Sequence, residues 1–145
     1  MSAVYNKAGL SFVYPSNWTI DESEGGEGQR GAVTAQSGEG AFWTVIRESS
    51  ATEPEFAAQT ALEALKDEYD ELDAEPAMDT LEGYELCGFD TNFICLDLTS
   101  TALIRATRTR DATLVFFCQA DDREFADVAN VFAAMTMSVL QHLGA

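Results

Sequence analysis

The chain has 145 residues and an ordinary apolar fraction of 46%, which is enough for one domain whose core needs neither a metal nor a disulfide. Its 25 acidic and 8 basic residues give a net charge of −17, which argues against binding to nucleic acid or to an anionic membrane, because both need a basic surface. The N-terminus lacks the apolar core of a signal peptide, which favours a cytoplasmic protein, although removal of a leader would leave the same sequence.

The excess of acids leaves two interpretations open. Lysine occurs only at Lys7 and Lys66, a pattern that fits adaptation to high salt. The alternative is a basic partner that docks on the acids, which are dense between residues 67 and 82.

The first predicted element is a short strand with Leu10, Phe12 and Tyr14 on one face. Pro15 ends it, and Trp18 is expected to fold back onto the core. Residues 21–31 contain acids and glycines and no apolar anchor, which predicts an exposed, mobile loop.

A hairpin is predicted next, with strands at 32–36 and 41–47 around the turn 37–40. Trp43 lies in its second strand. It is either an aromatic residue on a binding surface or a residue that packs beneath a helix, and the second interpretation is favoured.

The first helix is predicted over 53–72, with a capping box at 52–55 that places Pro54 in the first turn. Its apolar residues recur every three or four positions, and they are Ala58, Leu62, Leu65, Tyr69 and Leu72. Pro76 then restricts any following strand to a sheet edge.

Residues 84–89 and 93–98 are predicted to be two strands joined around the polar segment 90–92. The run from Phe93 to Leu96 is apolar on both faces, which predicts a strand that is covered on both sides.

The hairpin over 101–119, with its turn at Arg110 and Asp111, is predicted to be the centre of the fold. Its second arm, 112–118, is apolar on both faces, so helices are expected on both sides of the sheet. Three arginines, Arg105, Arg108 and Arg110, lie close together in the sequence. Strand alternation directs Arg105 and Arg108 to opposite faces, where they either pair with acids or contact an anionic group of a partner.

A second helix follows the acidic segment 121–124, which is suited to cap its N-terminus. Its apolar stripe has the same kind of spacing as that of the first helix, and it consists of Phe125, Val128, Phe132, Met135 and Val139.

Motifs for phosphate binding and for nucleophilic catalysis are absent from the sequence. The sole histidine, His142, is expected to lie beyond the second helix, where it is badly placed for a catalytic triad, and the three cysteines, at 87, 95 and 118, have no metal-site spacing. We therefore expect no catalytic residues, no metal site and no cofactor.

The opening segment Gly9-Leu10-Ser11-Phe12-x-Tyr14-Pro15-x-x-Trp18 resembles the start of the Mog1/PsbP-like superfamily, and residues 137–139 resemble its final motif. That group includes PsbP-type photosystem proteins, Mog1-type Ran-binding factors and the bacterial DcrB-like branch with secretion-effector chaperones. The resemblance covers most of the chain and implies an antiparallel sheet sandwiched between helices (an α+β fold, α/β/α) and a role in binding.

The sequence therefore predicts a single domain over residues 1–145 and a non-enzymatic protein-binding module of the adaptor or chaperone kind. One alternative is a secretion-effector chaperone that acts as a dimer, and another is a small hydrolase with a carboxylate site. A protein partner is expected, and the chain itself is expected to be a monomer or a homodimer. The residues nominated for partner contact are Trp43, Arg105, Arg108 and Arg110.

Overall fold

The computed structural model describes residues 1–7, 9–23 and 31–143. The elements along these residues are β1 (Ser2–Lys7), β2 (Leu10–Pro15), β3 (Thr19–Ser23), β4 (Gly31–Gln36), β5 (Phe42–Ser49), α1 (Pro54–Glu68), β6 (Asp73–Leu81), β7 (Tyr84–Cys95), β8 (Leu98–Arg108), β9 (Ala112–Asp121) and α2 (Asp122–Leu143). Strands β3 to β9 form one seven-stranded antiparallel sheet in the order β3-β4-β5-β9-β8-β7-β6, and β1 pairs with β2 in a separate two-stranded sheet.

Strand β9 lies at the centre of the sheet and is buried on both faces. Leu114 and Phe116 belong to the core on the α2 side, whereas Val115 packs in the core on the α1 side. This arrangement confirms the prediction of an antiparallel sheet with helices on both sides, made from the apolar run in this strand.

On one face, α2 and the β1–β2 hairpin together form the covering layer. The backbone N–H of Val13 in β2 donates a hydrogen bond to Ser138 Oγ of α2 at 3.0 Å. Tyr5 of β1 stacks on Phe12 of β2 with ring centroids 5.1 Å apart. The strand β1 was not predicted, since its side chains alternate only weakly between apolar and polar.

On the opposite face, α1 packs on β7, β8 and β9. Ala58 and Leu62 contact the cluster that contains Ile104 and Val115. No described helix lies over β3 and β4 on this side, and α1 only borders β5 at Ile46 and Glu48, so the layer over the sheet is incomplete here.

The prediction of two strands around residues 90–92 was wrong. Residues 84–95 form one strand, β7, and the chain turns at Leu96 and Asp97, which both have positive φ angles. The prediction that both faces of Phe93–Leu96 are covered was also wrong, because Ile94 is 65% exposed and Leu96 is 90% exposed.

The first helix is shorter than predicted, and its predicted capping box does not form. Glu53 is the N-cap residue and makes no side-chain cap hydrogen bond, while the helix ends at Glu68. Tyr69 is extended, and its ring stacks on Phe93 at 4.2 Å between centroids. The stripe of apolar residues therefore continues toward the core after the helix has ended.

The prediction of a loop over residues 21–31 was wrong for those of its residues that the structure describes. Residues 21–23 belong to strand β3, and Gly31 begins β4, which pairs with it. Residues 24–30 lie outside the described residues. The edge position predicted from Pro76 is confirmed, since β6 is the last strand of the sheet.

Candidate functional site: a groove beside helix α1

A groove of about 420 Å³ lies between α1 and strands β5 and β9, where the helical layer stops. We call it the α1 groove. It is lined by Ile46, Glu48, Ala57, Thr60, Ala61, Ala64, Leu65, Glu68, Val115 and Phe117. Its volume falls in the lower part of the range of about 300–1,000 Å³ that is typical of ligand pockets.

The floor of the α1 groove follows from strand register. Ile46 of β5 lies opposite Val115 of β9, so the two side chains emerge on the same face. Phe117 emerges two residues further on, and its ring contacts that of Phe42 with centroids 5.7 Å apart. These side chains are apolar, and Ile46, Phe42 and Phe117 remain partly exposed.

The wall of the α1 groove is formed by small side chains of α1. Ala57, Ala61 and Ala64 are spaced by four and three residues, which places them along one side of the helix. Because alanine extends little from the helix surface, another element can approach the backbone of α1 closely from this side.

The electrostatic character of the α1 groove is negative. Among the described residues, its lining contains the carboxylates of Glu48 and Glu68 and neither lysine nor arginine. The sequence of α1 contains four acidic residues and one base, Lys66, whose Nζ lies 3.9 Å from Glu63. A positively charged partner is therefore favoured over a negative one.

Arg105 does not lie in the α1 groove, because it projects toward the α2 side of the sheet, where its guanidinium is fully engaged. Its Nε donates to Asp79 at 2.7 Å, and a second nitrogen donates to Asp90 at 2.7 Å. A third donates to the carbonyls of Phe89 and Ile104. Burial lowers the pKa of Arg105, but the hydrogen bonds to Asp79 and Asp90 outweigh that effect and leave the pKa above its usual value.

Arg108 and Arg110 lie elsewhere on the molecule. Arg108 projects to the α1 side and donates to Glu53 at 2.7 Å and to the carbonyl of Thr52 at 3.3 Å. Arg110 lies in the exposed turn between β8 and β9 and makes no ion pair with any described residue. Pairing with acids is therefore observed for Arg105 and Arg108, and the structure does not bring the three arginines together as one patch.

Trp43 is fully buried, so it cannot act as an aromatic residue on a binding surface. Its indole Nε1 donates to Thr136 Oγ1 of α2 at 2.9 Å, and its ring contacts that of Phe12 with centroids 4.9 Å apart. The favoured interpretation, in which Trp43 packs beneath a helix, is the one observed.

The cysteines and the helices provide neither a metal site nor a membrane span among the described residues. Cys118 is buried, and that burial raises the pKa of its thiol to about 12. The described part of the chain brings together no group of three or more residues that are able to ligate a metal. Neither described helix combines the length and the apolar character of a membrane span.

Three solved structures resemble this fold over nearly the whole chain. No family model matches the sequence, and no curated protein matches it. The solution structure of cyanobacterial PsbP from Synechocystis shares 14% identity over 94% of this chain and 90% of its own, with a TM-score of 0.62. The chain has the Mog1/PsbP-like fold. The structural resemblance thus supports the prediction made from the opening motif.

The other two structures have the same Mog1/PsbP-like fold. PA94 of Pseudomonas aeruginosa, described as a protein of unknown function and putative regulator, is 12% identical over 94% of both chains with a TM-score of 0.50. LpqN of Mycobacterium tuberculosis, which is involved in cell envelope biogenesis, is 12% identical over 93% of this chain and 80% of its own, with a TM-score of 0.50. At such identities the likeness shows the fold alone, and function has to be argued from the site.

Sequence reasoning did not find the α1 groove. The signal that was available is the series of small residues, Ala57, Ala61 and Ala64, on one flank of a predicted helix. Small residues at that spacing also occur on ordinary solvent-facing helices. Only the position of α1 over β7, β8 and β9 leaves this flank beside an uncovered part of the sheet.

Proposed function

We propose that this protein is a non-enzymatic binding module that takes up a segment of a partner protein in the α1 groove. The observation that carries the proposal is the incomplete helical layer, which leaves Ile46 and Phe117 partly exposed beside a wall of alanines. Sheets in domains usually bury their apolar faces against other elements, and a partly uncovered apolar face is a common feature of interaction surfaces.

Two described carboxyl groups, those of Glu22 and Asp121, have lowered pKa values and are therefore not suited to act as the general acid of a hydrolase. The hydroxyl of Tyr5 and the ammonium of Lys7 hold the pKa of Glu22 below its usual value. The backbone N–H of Glu124, together with Arg123, does the same for the pKa of Asp121. A carboxyl group that acts as a general acid needs a shift in the opposite direction, and neither of these residues lines the α1 groove.

The proposal is tested by site-specific photocrosslinking in cells of the source organism. A benzoylphenylalanine at Ala64, an exposed residue of the α1 groove, is expected to give one covalent adduct that purified partner and purified protein reproduce. The same amino acid at Ala134, exposed on α2, is the matched control and is expected to give none. Equal labelling from both positions, or none from Ala64, would contradict the proposal.

The same crosslinking experiment, combined with sedimentation equilibrium, distinguishes the dimeric chaperone from the adaptor. A dimer that binds an effector would give a second copy of this chain as a reproducible crosslink and twice the monomer mass. A heterologous adduct from a monomer supports the adaptor form of the proposal.

A further inference from the structure

We infer that the occupant of the α1 groove is an amphipathic helix with lysine or arginine flanking its apolar stripe. The inference rests on the proposed function and adds the secondary structure and the charge of the partner segment. Each property follows from a separate feature of the groove.

The floor of the groove excludes pairing with a partner strand. Strands β5 and β9 are each hydrogen-bonded to a neighbour on both sides, in the order β4-β5-β9-β8. Their backbone groups are therefore already used, and strand addition needs a free edge. What the floor offers is a sheet face, and helices are the elements that most often cover such a face in α+β domains.

The wall of the groove fits a helix that lies beside α1. Ala57, Ala61 and Ala64 allow two helix axes to approach within the usual 8–10 Å or so. From Ala57 to Ala64 the helix rises roughly 10 Å, so the wall matches about two turns of a partner helix. A helix seated there would extend the layer that α1 begins and would cover Ile46 and Phe117.

The negative charge of the α1 groove determines which residues should flank the apolar stripe of that helix. Glu48 and Glu68 lie in the lining, and the whole chain has a net charge of −17. An acidic helix would be repelled on approach, whereas basic residues beside the apolar stripe gain complementary contacts with the rim and a faster encounter. The apolar floor requires an apolar stripe, because a uniformly basic helix would offer no apolar contact to the exposed parts of Ile46 and Phe117.

The test uses three synthetic 18-residue peptides. The first has leucine at positions i, i+3, i+4 and i+7 and lysine on the remaining face, the second replaces each lysine by glutamate, and the third has the composition of the first with the leucine spacing scrambled. Binding is measured by fluorescence anisotropy at low salt and at high salt. The first peptide is expected to bind at least about tenfold more tightly than the others at low salt, and to stay tighter than the scrambled peptide at high salt.

Two pairs of variants locate the binding site. Ala64→Phe fills the groove and is expected to weaken the first peptide about tenfold, whereas Ala134→Phe, at an exposed position of α2, leaves the affinity unchanged. Glu68→Lys is expected to weaken it about threefold at low salt and hardly at all at high salt. Asp127→Lys, a charge change of the same sign and size on an exposed site of α2, is its control.

Three results would overturn the inference. They are equal binding of the scrambled peptide, tighter binding of the glutamate peptide, and unchanged affinity of Ala64→Phe when its circular dichroism spectrum shows a folded protein. The crosslink from position 64 separates this inference from the proposed function. An adduct within an extended or acidic segment of a partner would leave the binding module standing and refute the basic helix, whereas the absence of any adduct would refute both.

Discussion

Gly88 of β7 lies directly opposite Arg105 of β8, and both residues lie close to the backbone carbonyl oxygen of Ile104. The guanidinium of Arg105 donates to the Ile104 carbonyl at 2.9 Å. A methyl group on Gly88 would overlap that same oxygen. The glycine therefore allows two strands to approach closely at the place where Arg105 is held between Asp79 and Asp90.

Replacing Gly88 by alanine is expected to destabilise the fold by about 3 kcal/mol, the upper end of the usual cost of overpacking, because the obstacle is backbone rather than a flexible side chain. Gly31→Ala is the matched control, since a methyl group at that position would meet no heavy atom within 4 Å, and it should change stability by less than about 0.5 kcal/mol. Urea unfolding of both variants provides the comparison. Similar midpoints would refute the close approach.

Arg105 and Arg108 should differ sharply in what they contribute to stability. The side chain of Arg105 is 14% exposed, but its partners Asp79 and Asp90 are about half exposed, so Arg105→Met is expected to cost about 2 kcal/mol rather than the full cost of breaking a buried pair. Arg108 is 44% exposed, and Arg108→Met should cost less than about 1 kcal/mol. Chemical denaturation measures the free energy of unfolding of both variants. Equal costs would show that the buried side chain of Arg105 contributes no more to stability than the exposed side chain of Arg108.

Leu65 anchors α1 to the sheet, and Leu65→Ala is expected to cost about 2–5 kcal/mol through lost burial and the cavity left behind. Phe56, in the same helix, is 68% exposed, and Phe56→Ala should cost less than about 0.5 kcal/mol. Thermal and urea unfolding distinguish the two. A cost below about 0.5 kcal/mol for Leu65→Ala would place this face of α1 in solvent.

Asp121 caps α2 by accepting hydrogen bonds from the backbone N–H groups of Arg123 and Glu124 at 3.0 and 3.1 Å. The bond from Glu124 is the main cause that lowers the pKa of Asp121 below its usual value of 3.8. A carboxyl group with a lowered pKa stabilises the folded state at pH values above its unfolded-state pKa. This contribution disappears as the pH falls through the folded-state pKa.

Asp121→Asn keeps a cap acceptor but removes the titration. The variant is therefore expected to lose less stability than the natural protein between pH 5 and pH 2, or thereabouts, in urea unfolding. Asp127→Asn, at an exposed position of α2, serves as the control and should follow the natural protein. Parallel curves for all three proteins would show that the cap does not titrate in this range.

The charge of −17 predicts a stability that rises with salt, because screening relieves repulsion between carboxylates over a Debye length of about 8 Å at physiological salt. The melting temperature is expected to increase steadily from low to molar sodium chloride. A melting temperature that is constant over this range would contradict the expectation and would weaken the interpretation of the acids as an adaptation to high salt.

The prediction of a break in β7 failed for a reason that only tertiary contacts reveal. Asp90, Thr91 and Asn92 have the composition of a turn. In the fold each has a partner on β8: Asp90 binds Arg105, the Thr91 hydroxyl donates to the Ala102 carbonyl, and Asn92 accepts from Thr101. Polar side chains that are paired across a ladder do not interrupt a strand.

Contacts in the folded chain also explain why both ends of helix α1 differ from the prediction. The apolar stripe continues to Leu72, but Tyr69 leaves the helix and stacks on Phe93 instead. At the start, the N-cap is Glu53 and not Thr52, and the backbone N–H of Thr52, which the Glu55 carboxylate would accept in a capping box, donates to the Ser49 carbonyl at 2.9 Å.

The apolar pattern of the chain was enough to predict the centre of the fold. Because β9 has apolar residues on successive positions, both its faces had to be covered, and the periodic stripes of the two helices supplied the covering. Tertiary structure decided which strands α1 covers and therefore where the layer stops. The α1 groove includes Ile46, Ala61 and Phe117, which come from three separated segments, and no local pattern records that their side chains share an opening.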